Sequence, residues 1–175
     1  PRLDLEDLGR QLDEVFNEFV KDYGKEITFK VEPGRYISAE CSVLLGTVHA
    51  IKYNHEDKYA GTDLGFNVLQ RPVMYDSHHD IEVYNDSDKV EDITVVGNIC
   101  ESGDIMAKHR MCPEMHVGDT IGVLDAGAYG YCMASNYNNR LRPAEVLIRE
   151  NGEVQLIRER DTLEDLLKGM HSLEK

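Results

Sequence analysis

The sequence predicts a mainly β domain that follows one helix-and-strand unit. From residue 43 onward, short runs of β-branched and aliphatic residues alternate with Gly, Asn, Asp and Pro. This spacing is typical of an antiparallel β-sandwich or β-barrel. Before residue 43 the apolar residues instead recur every three or four positions, which indicates a helix with one apolar face.

The N-terminal segment accounts for the helix-and-strand unit. Apolar side chains from Leu5 to Val20 fall on one face of the predicted helix, and Gly24 is a typical helix stop. Residues 27–31 then predict a short buried strand. A helix that leads into one strand is the last unit of an alternating α/β array, and the earlier units of such an array are absent from the sequence.

Six β runs are predicted in the remainder of the chain. They cover residues 43–54, 79–85, 92–99, 120–127, 144–150 and 153–159. The last two are separated by Asn151-Gly152, which is a strong signal for a hairpin. A helix that begins at Asp161 or Thr162 is predicted to close the chain.

The composition narrows the classes of partner. The chain has 175 residues, of which 19 are basic and 33 acidic, for a net charge of −14. This balance disfavours nucleic acids and anionic membranes, although a few local arginines can still hold a small anion. No apolar run approaches the roughly 18 residues that a membrane-spanning helix needs. Four cysteines without a secretory signal predict a cytoplasmic protein with free thiols.

Two stretches are candidates for binding an anion. Pro33-Gly34 predicts a turn, in which Gly34 lets backbone N–H groups approach a ligand and Arg35 pairs with a carboxylate or phosphate. The alternative is a strand-ending turn with a surface arginine, because Pro-Gly turns are common. Arg71 and Tyr75 lie four residues apart, hence on one face of a helical turn. They offer a cation and a phenol to one carboxylate, or they form an ordinary exposed pair.

The histidines predict neither a catalytic nor a metal site. His78 and His79 are adjacent, so in a strand they would face opposite sides of the sheet. His109, Cys112 and His116 have a spacing loosely similar to that of zinc ligands. A structural zinc site normally presents four ligands, however, and no second cluster completes this set. The prediction is therefore that no metal is bound.

Residues 124–148 form a stretch rich in tyrosine and asparagine, which predicts a binding loop on the β scaffold. Tyr129 is flanked on both sides by small residues. This pattern places the aromatic ring either where the backbone is crowded or where a flat ligand binds. Structural packing of Tyr129 is the alternative.

Cys100 follows the predicted strand at residues 92–99 and precedes Glu101, Ser102 and Asp104. Free cysteines are among the most buried residues, so burial is the general expectation, and it is the one adopted for the other three cysteines. Carboxylates near a thiol disfavour its thiolate form. Cys100 is therefore predicted to be a proton donor rather than a nucleophile.

Three short motifs occur in a characteristic order along the chain. They read EPGR at 32–35, CESGD at 100–104 and DAGAYG at 125–130. In this order and spacing they resemble the C-terminal half of the diaminopimelate decarboxylases, which are alanine racemase-like, fold-type III enzymes dependent on pyridoxal 5'-phosphate (PLP). The Glu after the Cys is similar to the diaminopimelate branch, whereas ornithine decarboxylases usually carry Asp there.

The resemblance implies a fold and a set of cofactor contacts. It implies an antiparallel, Greek-key β-barrel, mainly β overall, preceded by the last helix and strand of a truncated (β/α)8 barrel. Glu32 through Arg35 would contribute to the PLP phosphate region, with the backbone of Gly34 meeting the phosphate. Tyr129 would contact both the PLP phosphate and the substrate, and the Arg35 side chain would reach the substrate.

The resemblance also implies how the amino-acid substrate is held. Arg71 and Tyr75 would bind the distal carboxylate of diaminopimelate, and Glu101 would bind its distal ammonium. Cys100 would donate the proton that replaces the departing carboxylate. In this family the Cys and the Glu act in the active site of the partner subunit, so a homodimer is implied.

The domain organisation implied by the resemblance has three parts. Residues 1–34 would be the remnant of the PLP-binding (β/α)8 barrel, residues 35–160 the β-barrel domain, and residues 161–175 a C-terminal helix and tail. The family's Schiff-base Lys lies in the missing N-terminal barrel. The chain by itself is therefore expected to be inactive, and meso-2,6-diaminopimelate would be decarboxylated to L-lysine and CO2 only by the intact dimer.

Two alternatives remain at the level of sequence. One is a related decarboxylase that acts on D-lysine, D-ornithine or carboxynorspermidine. The other is a β-barrel binding or interaction domain without catalysis, which would be a monomer with no affinity for PLP.

Overall fold

Four helices and eight strands are present in residues 3–172, the part of the chain that the computed structural model describes. The chain divides into two units between Pro33 and Gly34. The helices are α1 (Leu5–Tyr23), α2 (Gly34–Ser38), α3 (Arg71–Tyr75) and α4 (Leu163–Leu167). The strands are β1 (Leu44–Asn54), β2 (Asp57–Thr62), β3 (Ile81–Tyr84), β4 (Val90–Val96), β5 (Ile105–Pro113), β6 (Thr120–Val123), β7 (Glu145–Ile148) and β8 (Val154–Arg158).

The first unit contains α1 and confirms the predicted helix and its stop. The Asp4 carboxylate accepts hydrogen bonds from backbone N–H groups of the first turn, and Gly24 ends the helix in the left-handed conformation at φ 71°. The predicted strand at residues 27–31 is wrong: the segment is exposed and forms no strand. A strand requires a neighbour to satisfy its backbone hydrogen bonds, and no described strand pairs with this segment.

The second unit is built on a six-stranded mixed sheet in the order β3-β6-β1-β2-β4-β5. The edge strands β3 and β5 also approach each other, so the sheet is a nearly closed barrel and the predicted fold class is confirmed. Most neighbouring strands are antiparallel, but β2 and β4 pair in parallel, with Ala60 opposite Val95. The barrel interior is apolar and includes the fully buried side chains of Val48, Ile93 and Ile121.

The strand directions bring all the candidate segments to one end of the barrel. Strands β2, β4 and β6 point the same way, because β2 is parallel to β4 and both β2 and β6 are antiparallel to β1. Their C-terminal ends therefore lie together. Strands β1, β3 and β5 are antiparallel to these neighbours and begin at the same end. Segments 34–43, 63–80, 97–104 and 124–137 all emerge there.

The C-terminal hairpin and helix match the predictions from sequence. Strands β7 and β8 pair antiparallel around Asn151-Gly152, and Gly152 has a φ of 82°. Helix α4 begins after Thr162, whose hydroxyl accepts from the N–H of Asp165 in a capping box. Asp161, the other predicted cap, instead binds Arg142. Within residues 3–172, no helix has the length and hydrophobicity needed to cross a membrane.

Candidate functional site

A pocket of about 410 Å³ opens at the end of the barrel where the candidate segments meet. Its lining comprises Arg35, Arg71, Tyr75, Ser77, Tyr129 and Met133. Four of these six were predicted as binding residues from the sequence. They come from α2, from α3 and the residues just after it, and from the loop that follows β6.

Arg71 is the most buried charged group in the pocket. Arg71 is the first residue of α3, and it is only 7% exposed. The guanidinium carbon lies 5.6 Å from the ring centres of both Tyr75 and Tyr129. Nη2 donates to the hydroxyl of Ser77 at 3.1 Å. In the described part of the chain, no carboxylate lies within ion-pair distance of Arg71. The two rings and one hydroxyl compensate the buried cation only in part, so the site favours a ligand that supplies a negative charge.

The α3 geometry follows from local sequence. Pro72 occupies the first turn, where its missing N–H costs nothing. Asp76 adopts the left-handed conformation at φ 51° and ends the helix, so the chain turns back and brings Ser77 over Arg71. The prediction that Arg71 and Tyr75 share one face of a helical turn is confirmed.

Gly34, Arg35 and Tyr129 form a second part of the site. Gly34 begins the short helix α2, rather than the turn predicted from Pro-Gly. A Cβ atom at Gly34 would overlap the Tyr129 hydroxyl, so the backbone and the phenol approach more closely than any other residue at position 34 allows. Arg35 is exposed at the pocket rim. An N–H group, a guanidinium and a hydroxyl are a donor set that fits a phosphate.

Tyr129 is held in an unusual backbone conformation. Its φ is 59°, in the left-handed region that bulky residues rarely occupy, and 42% of the residue is exposed. Two backbone hydrogen bonds hold the loop in place: the N–H of Gly127 donates to the carbonyl of Ala39, and the N–H of Ala126 donates to the carbonyl of Ser42. Strain at an exposed aromatic side chain in a pocket favours the binding alternative for Tyr129 over the packing alternative.

Cys100 and Glu101 lie on the turn between β4 and β5, and both are exposed. The general expectation of burial is therefore wrong for Cys100, and it is also wrong for Cys41 and Cys132; it is confirmed for Cys112. The turn reaches the neighbourhood of α3, since a Cβ at Gly103 would lie 3.5 Å from Val73. Neither Cys100 nor Glu101 lines the Arg71 pocket, although both emerge at the same end of the barrel.

Glu101 has no partner outside its own turn among the described residues. Its Oε1 atom accepts from the N–H of Gly103 at 3.3 Å and from the hydroxyl of Ser102 at 3.4 Å. The carboxylate therefore remains available to a cation. Glu32 belongs to the first unit, where it is exposed.

The histidines and Cys112 do not gather around a common centre. No group of three or more potential metal ligands occurs in residues 3–172. Cys112 faces the core, whereas His109 and His116 are exposed. His78 and His79 do face opposite sides: His78 is exposed, and His79 is buried with Nδ1 donating to the carbonyl of Leu124 at 2.8 Å. Burial lowers the pKa of His79.

Three residues of the site were missed in the sequence. Ser77 and Met133 line the pocket, but only the course of the loops brings them there. Asp104 was predicted only as an acidic neighbour of Cys100. It is 4% exposed, and its carboxylate accepts from the N–H groups of Phe66 and Ile99. Burial raises the pKa of Asp104, against the effect of these two bonds. An Asp that follows Ser-Gly in a tight turn was the available signal for this role.

A family model and individual relatives match the chain. Residues 19–127 match the family described as pyridoxal-dependent decarboxylase, C-terminal sheet domain. The diaminopimelate decarboxylase of Methanothermobacter thermautotrophicus is 44% identical over 172 residues, which cover 97% of this chain and 40% of that protein. The diaminopimelate decarboxylase of Archaeoglobus fulgidus is 46% identical over 140 residues, 79% of this chain and 33% of that protein. The chain thus spans about two fifths or less of the length of these relatives.

Solved structures give the same picture. The crystal structure of diaminopimelate decarboxylase from Methanocaldococcus jannaschii has a TM-score of 0.80 and 37% identity, covering 92% of this chain and 37% of that chain. The Helicobacter pylori diaminopimelate decarboxylase complexed with L-lysine has a TM-score of 0.72 and 38% identity, over 78% of this chain and 34% of that chain. A Vibrio vulnificus lysine/ornithine decarboxylase complexed with cadaverine, 22% identical with a TM-score of 0.56 over 61% of this chain and 30% of that chain, shares the fold.

Proposed function

The chain belongs to the pyridoxal-dependent decarboxylases, as the motif resemblance predicts, and we propose that it is the C-terminal part of a diaminopimelate decarboxylase. The intact enzyme would convert meso-2,6-diaminopimelate to L-lysine and CO2, the last step of lysine biosynthesis. The substrate class is supported by relatives named for this activity.

The observation that carries the proposal is the buried Arg71 without an anionic partner. Diaminopimelate has an amino-acid group at each end, so an enzyme that removes one carboxylate must recognise the other. Arg71 as a residue is 7% exposed, and its guanidinium is flanked by the rings of Tyr75 and Tyr129. Partial desolvation strengthens a charge-assisted hydrogen bond. This arrangement fits the distal carboxylate, which a simple diamine lacks.

The cofactor would be bound next to this carboxylate site. The N–H of Gly34 and the hydroxyl of Tyr129 would hold the phosphate of PLP, with Glu32 contributing to this region and Arg35 reaching the substrate. When bound, PLP withdraws electrons from the carbon that loses CO2. Tyr129 would also touch the substrate, so one ring orients the phosphate, the substrate and the Arg71 side chain together.

Cys100 would complete the reaction by donating its thiol proton to the carbon from which CO2 has left. The C–C bond to the carboxylate breaks, its electron pair stays with the substrate carbon, and the new C–H bond takes the thiol proton; solvent later returns a proton to Cys100. A neutral thiol suits this role as a general acid. Glu101, whose carboxylate has no partner outside its turn, would hold the distal ammonium of the substrate.

A homodimer is part of the proposal. Cys100 and Glu101 do not line the pocket that contains Arg71 and Tyr129, but they leave the barrel at the same end. This separation is compatible with the two residues entering the active site of the partner subunit. The N-terminal barrel of the intact enzyme would supply the remaining contacts to PLP.

The test compares two inhibitors of the intact enzyme. L-lysine and cadaverine share both amines and differ by one carboxylate. We expect Arg71→Ala to raise the inhibition constant of L-lysine by roughly 10- to 100-fold, the equivalent of a charged hydrogen bond, and to leave that of cadaverine nearly unchanged. Arg149→Ala, at an exposed residue just after β7, is the matched control and should change neither constant. An equal effect of Arg71→Ala on both inhibitors would refute the carboxylate role.

The competing substrates are separated by direct assay. Release of CO2 from meso-2,6-diaminopimelate is compared with release from D-lysine, D-ornithine and carboxynorspermidine. Faster turnover of one of these three would assign the enzyme to that substrate instead. An intact protein that binds no PLP and releases no CO2 would favour a non-catalytic barrel.

A further inference from the structure

We propose that Asp104 is a positioning residue that sets the placement of the Cys100–Glu101 turn. The inference rests on the proposed function, because it assigns those two residues to proton donation and substrate binding. Asp104 itself is buried and cannot touch a substrate. Its effect on the reaction would therefore pass through the backbone that it holds.

The side chain of Asp104 joins two separate segments. Its Oδ1 atom accepts from the N–H of Phe66 at 2.6 Å, and its Oδ2 atom accepts from the N–H of Ile99 at 2.8 Å. Ile99 immediately precedes Cys100, so this second bond fixes the backbone at the start of the catalytic turn. A carboxylate is the only side chain of this size that can accept at both oxygens, since an amide has one acceptor and one donor.

The backbone of Asp104 closes the same turn. Its N–H donates to the carbonyl of Glu101 at 3.0 Å, and its carbonyl accepts from the N–H of Gly97 at 3.0 Å. Gly97 has no room for a side chain, because a Cβ there would overlap the Asp104 carboxylate. Asp104, at the end of the turn from 97 to 104, thus forms hydrogen bonds with its beginning at Gly97 and Ile99 and with its middle at Glu101.

The bond to Phe66 links this turn to the segment that carries Arg71. Residues 63–70 connect β2 to α3, and Asn67 in that segment is 1% exposed. Asn67 exchanges hydrogen bonds with the backbone of Ser135, donating from Nδ2 at 3.1 Å and accepting at its carbonyl at 2.8 Å. Asp104 therefore ties the Cys100–Glu101 turn to the segment that leads into α3, while Asn67 independently holds the loop after Tyr129.

These separate attachments predict a selective effect. Loss of the Asp104 bonds should move the turn but leave Arg71, Tyr75 and Tyr129 in place. The rate of the chemical step would then fall, because displacement of a catalytic group by about 1 Å can cost on the order of 100-fold. Discrimination between L-lysine and cadaverine reports on the carboxylate alone and should persist, since any change at Glu101 affects the amines of both inhibitors equally.

The experiment uses Asp104→Asn in the intact enzyme. Asn keeps the size of the side chain but turns one acceptor into a donor that faces a backbone N–H. We expect kcat per bound PLP to fall by roughly 100-fold. We expect the ratio of the cadaverine and L-lysine inhibition constants to stay within about twofold of the wild-type ratio, because Arg71 is unaffected. Counting only sites that contain PLP removes any unfolded fraction from the rate.

Two further variants test whether a fall in kcat merely reflects a general loss of stability. Gly97→Ala leaves Asp104 in the sequence, but its Cβ would overlap the Asp104 carboxylate and the backbone carbonyl of Leu64, so displacement of the carboxylate should reproduce the low kcat. Glu91→Gln alters a carboxylate at the opposite end of β4, where Glu91 binds Lys58 and the N–H of Met115. It should lower the midpoint of thermal unfolding without changing kcat.

The outcomes distinguish this inference from the proposed function. A wild-type kcat in Asp104→Asn or Gly97→Ala would overturn the positioning role, and so would an equally low kcat in Glu91→Gln. A collapsed inhibitor ratio in Asp104→Asn would show that Asp104 supports the whole barrel end rather than the turn, which also overturns the inference. Failure of the wild-type enzyme to release CO2 from diaminopimelate would instead refute the proposed function.

Discussion

At the scale of single residues, the Tyr129 hydroxyl lies close against the backbone of Gly34. The phenol hydroxyl occupies the space that a Cβ at position 34 would need. The hydroxyl is the far end of a side chain that is 42% exposed, so an added Cβ would turn the ring away from position 34. The absence of a side chain at Gly34 is therefore a requirement of the site, beyond any requirement of the short helix in which it lies.

We predict that Gly34→Ala lowers the affinity of the intact enzyme for PLP and its activity without lowering its stability. Alanine favours a helix over glycine by up to about 1 kcal/mol, so the loss would come from the displaced Tyr129 hydroxyl. In a double-mutant cycle with Tyr129→Phe, which lacks the hydroxyl, Gly34→Ala should cost much less. Gly9→Ala in α1 has open space around its Cβ and should change neither activity nor PLP affinity. Additive effects in the cycle would contradict the overlap.

Because His79 is buried, we predict that the free energy of unfolding depends on pH. Burial is the main cause that lowers its folded pKa below the unfolded value of 6.5, and the positive charge of Arg71 acts in the same direction. Below pH 6.5 His79 gains a proton in the unfolded chain but not in the folded chain, so the free energy of unfolding falls as pH decreases toward the folded pKa. Above pH 6.5 the contribution of His79 to stability is fully present. His79→Asn keeps a donor for the carbonyl of Leu124 and cannot titrate. Urea unfolding from about pH 7.5 to 5 should show a smaller loss in this variant, and equal losses would exclude His79 as the cause.

At the scale of elements, Asp161 attaches the C-terminal helix to the loop that follows the pocket. Its carboxylate accepts from Nε of Arg142 at 2.8 Å, from Nη2 at 3.1 Å and from Asn136 at 2.9 Å. These bonds lower the pKa of Asp161, with Arg142 as the largest cause. The stability that this ion pair contributes is therefore fully present above the unfolded pKa of 3.8 and is lost as pH falls through the lowered folded pKa.

We predict that Asp161→Asn lowers the free energy of unfolding by about 2 kcal/mol at neutral pH, the usual contribution of hydrogen bonds to a charged group. Glu145→Gln provides the comparison, because Glu145 pairs with Arg158 in a more exposed position on the hairpin. Exposed pairs contribute about 1 kcal/mol or less. Denaturant titration of both variants measures the difference, and a Glu145→Gln loss as large as that of Asp161→Asn would refute it.

The elements also show what a sequence can predict. Strands β1, β4 and β6 were predicted because each alternates or clusters apolar residues around a buried face, and Asn151-Gly152 predicted the hairpin. Strand β5 was missed, since Lys108, His109 and Arg110 interrupt its apolar pattern and His109 has a φ of 49°. Strand β2 was missed because its small and charged residues carry no alternation. Each pairs antiparallel with the strand just before it, β2 with β1 and β5 with β4, but segments without apolar alternation do not reveal such a pairing in the sequence.

The same limit applies to the site. Arg35, Arg71, Tyr75 and Tyr129 were predicted because their residue types and motifs point to anion binding, and the structure brings them to one pocket. That pocket does not include Cys100. Asp104 was misjudged, because in the sequence it is one more acidic residue and only its burial distinguishes it. Motifs thus predict the groups that touch ligands better than the groups that hold them.

At the scale of the whole molecule, the lysines set a limit on the chemistry that these 175 residues can perform by themselves. A lysine must be neutral to attack the aldehyde of PLP, and burial is what favours its neutral form. None of the lysines in residues 3–172 is buried. Lys58 and Lys89 are further committed to ion pairs with Glu91 and Glu114. The described residues therefore offer the phosphate and carboxylate contacts of the proposed site without a lysine suited to bind PLP covalently.

We predict that the 175-residue chain, incubated with PLP and reduced with borohydride, forms no stoichiometric adduct at a single lysine and releases no CO2 from diaminopimelate. Exposed lysines should react weakly and without preference, so peptide mass spectrometry would find traces at several positions. The intact enzyme, treated in parallel, should be modified fully at one lysine of its N-terminal barrel. One fully modified lysine in the 175-residue chain would contradict this prediction, because the chain would then hold its own covalent site for PLP beside Arg71 and Tyr129.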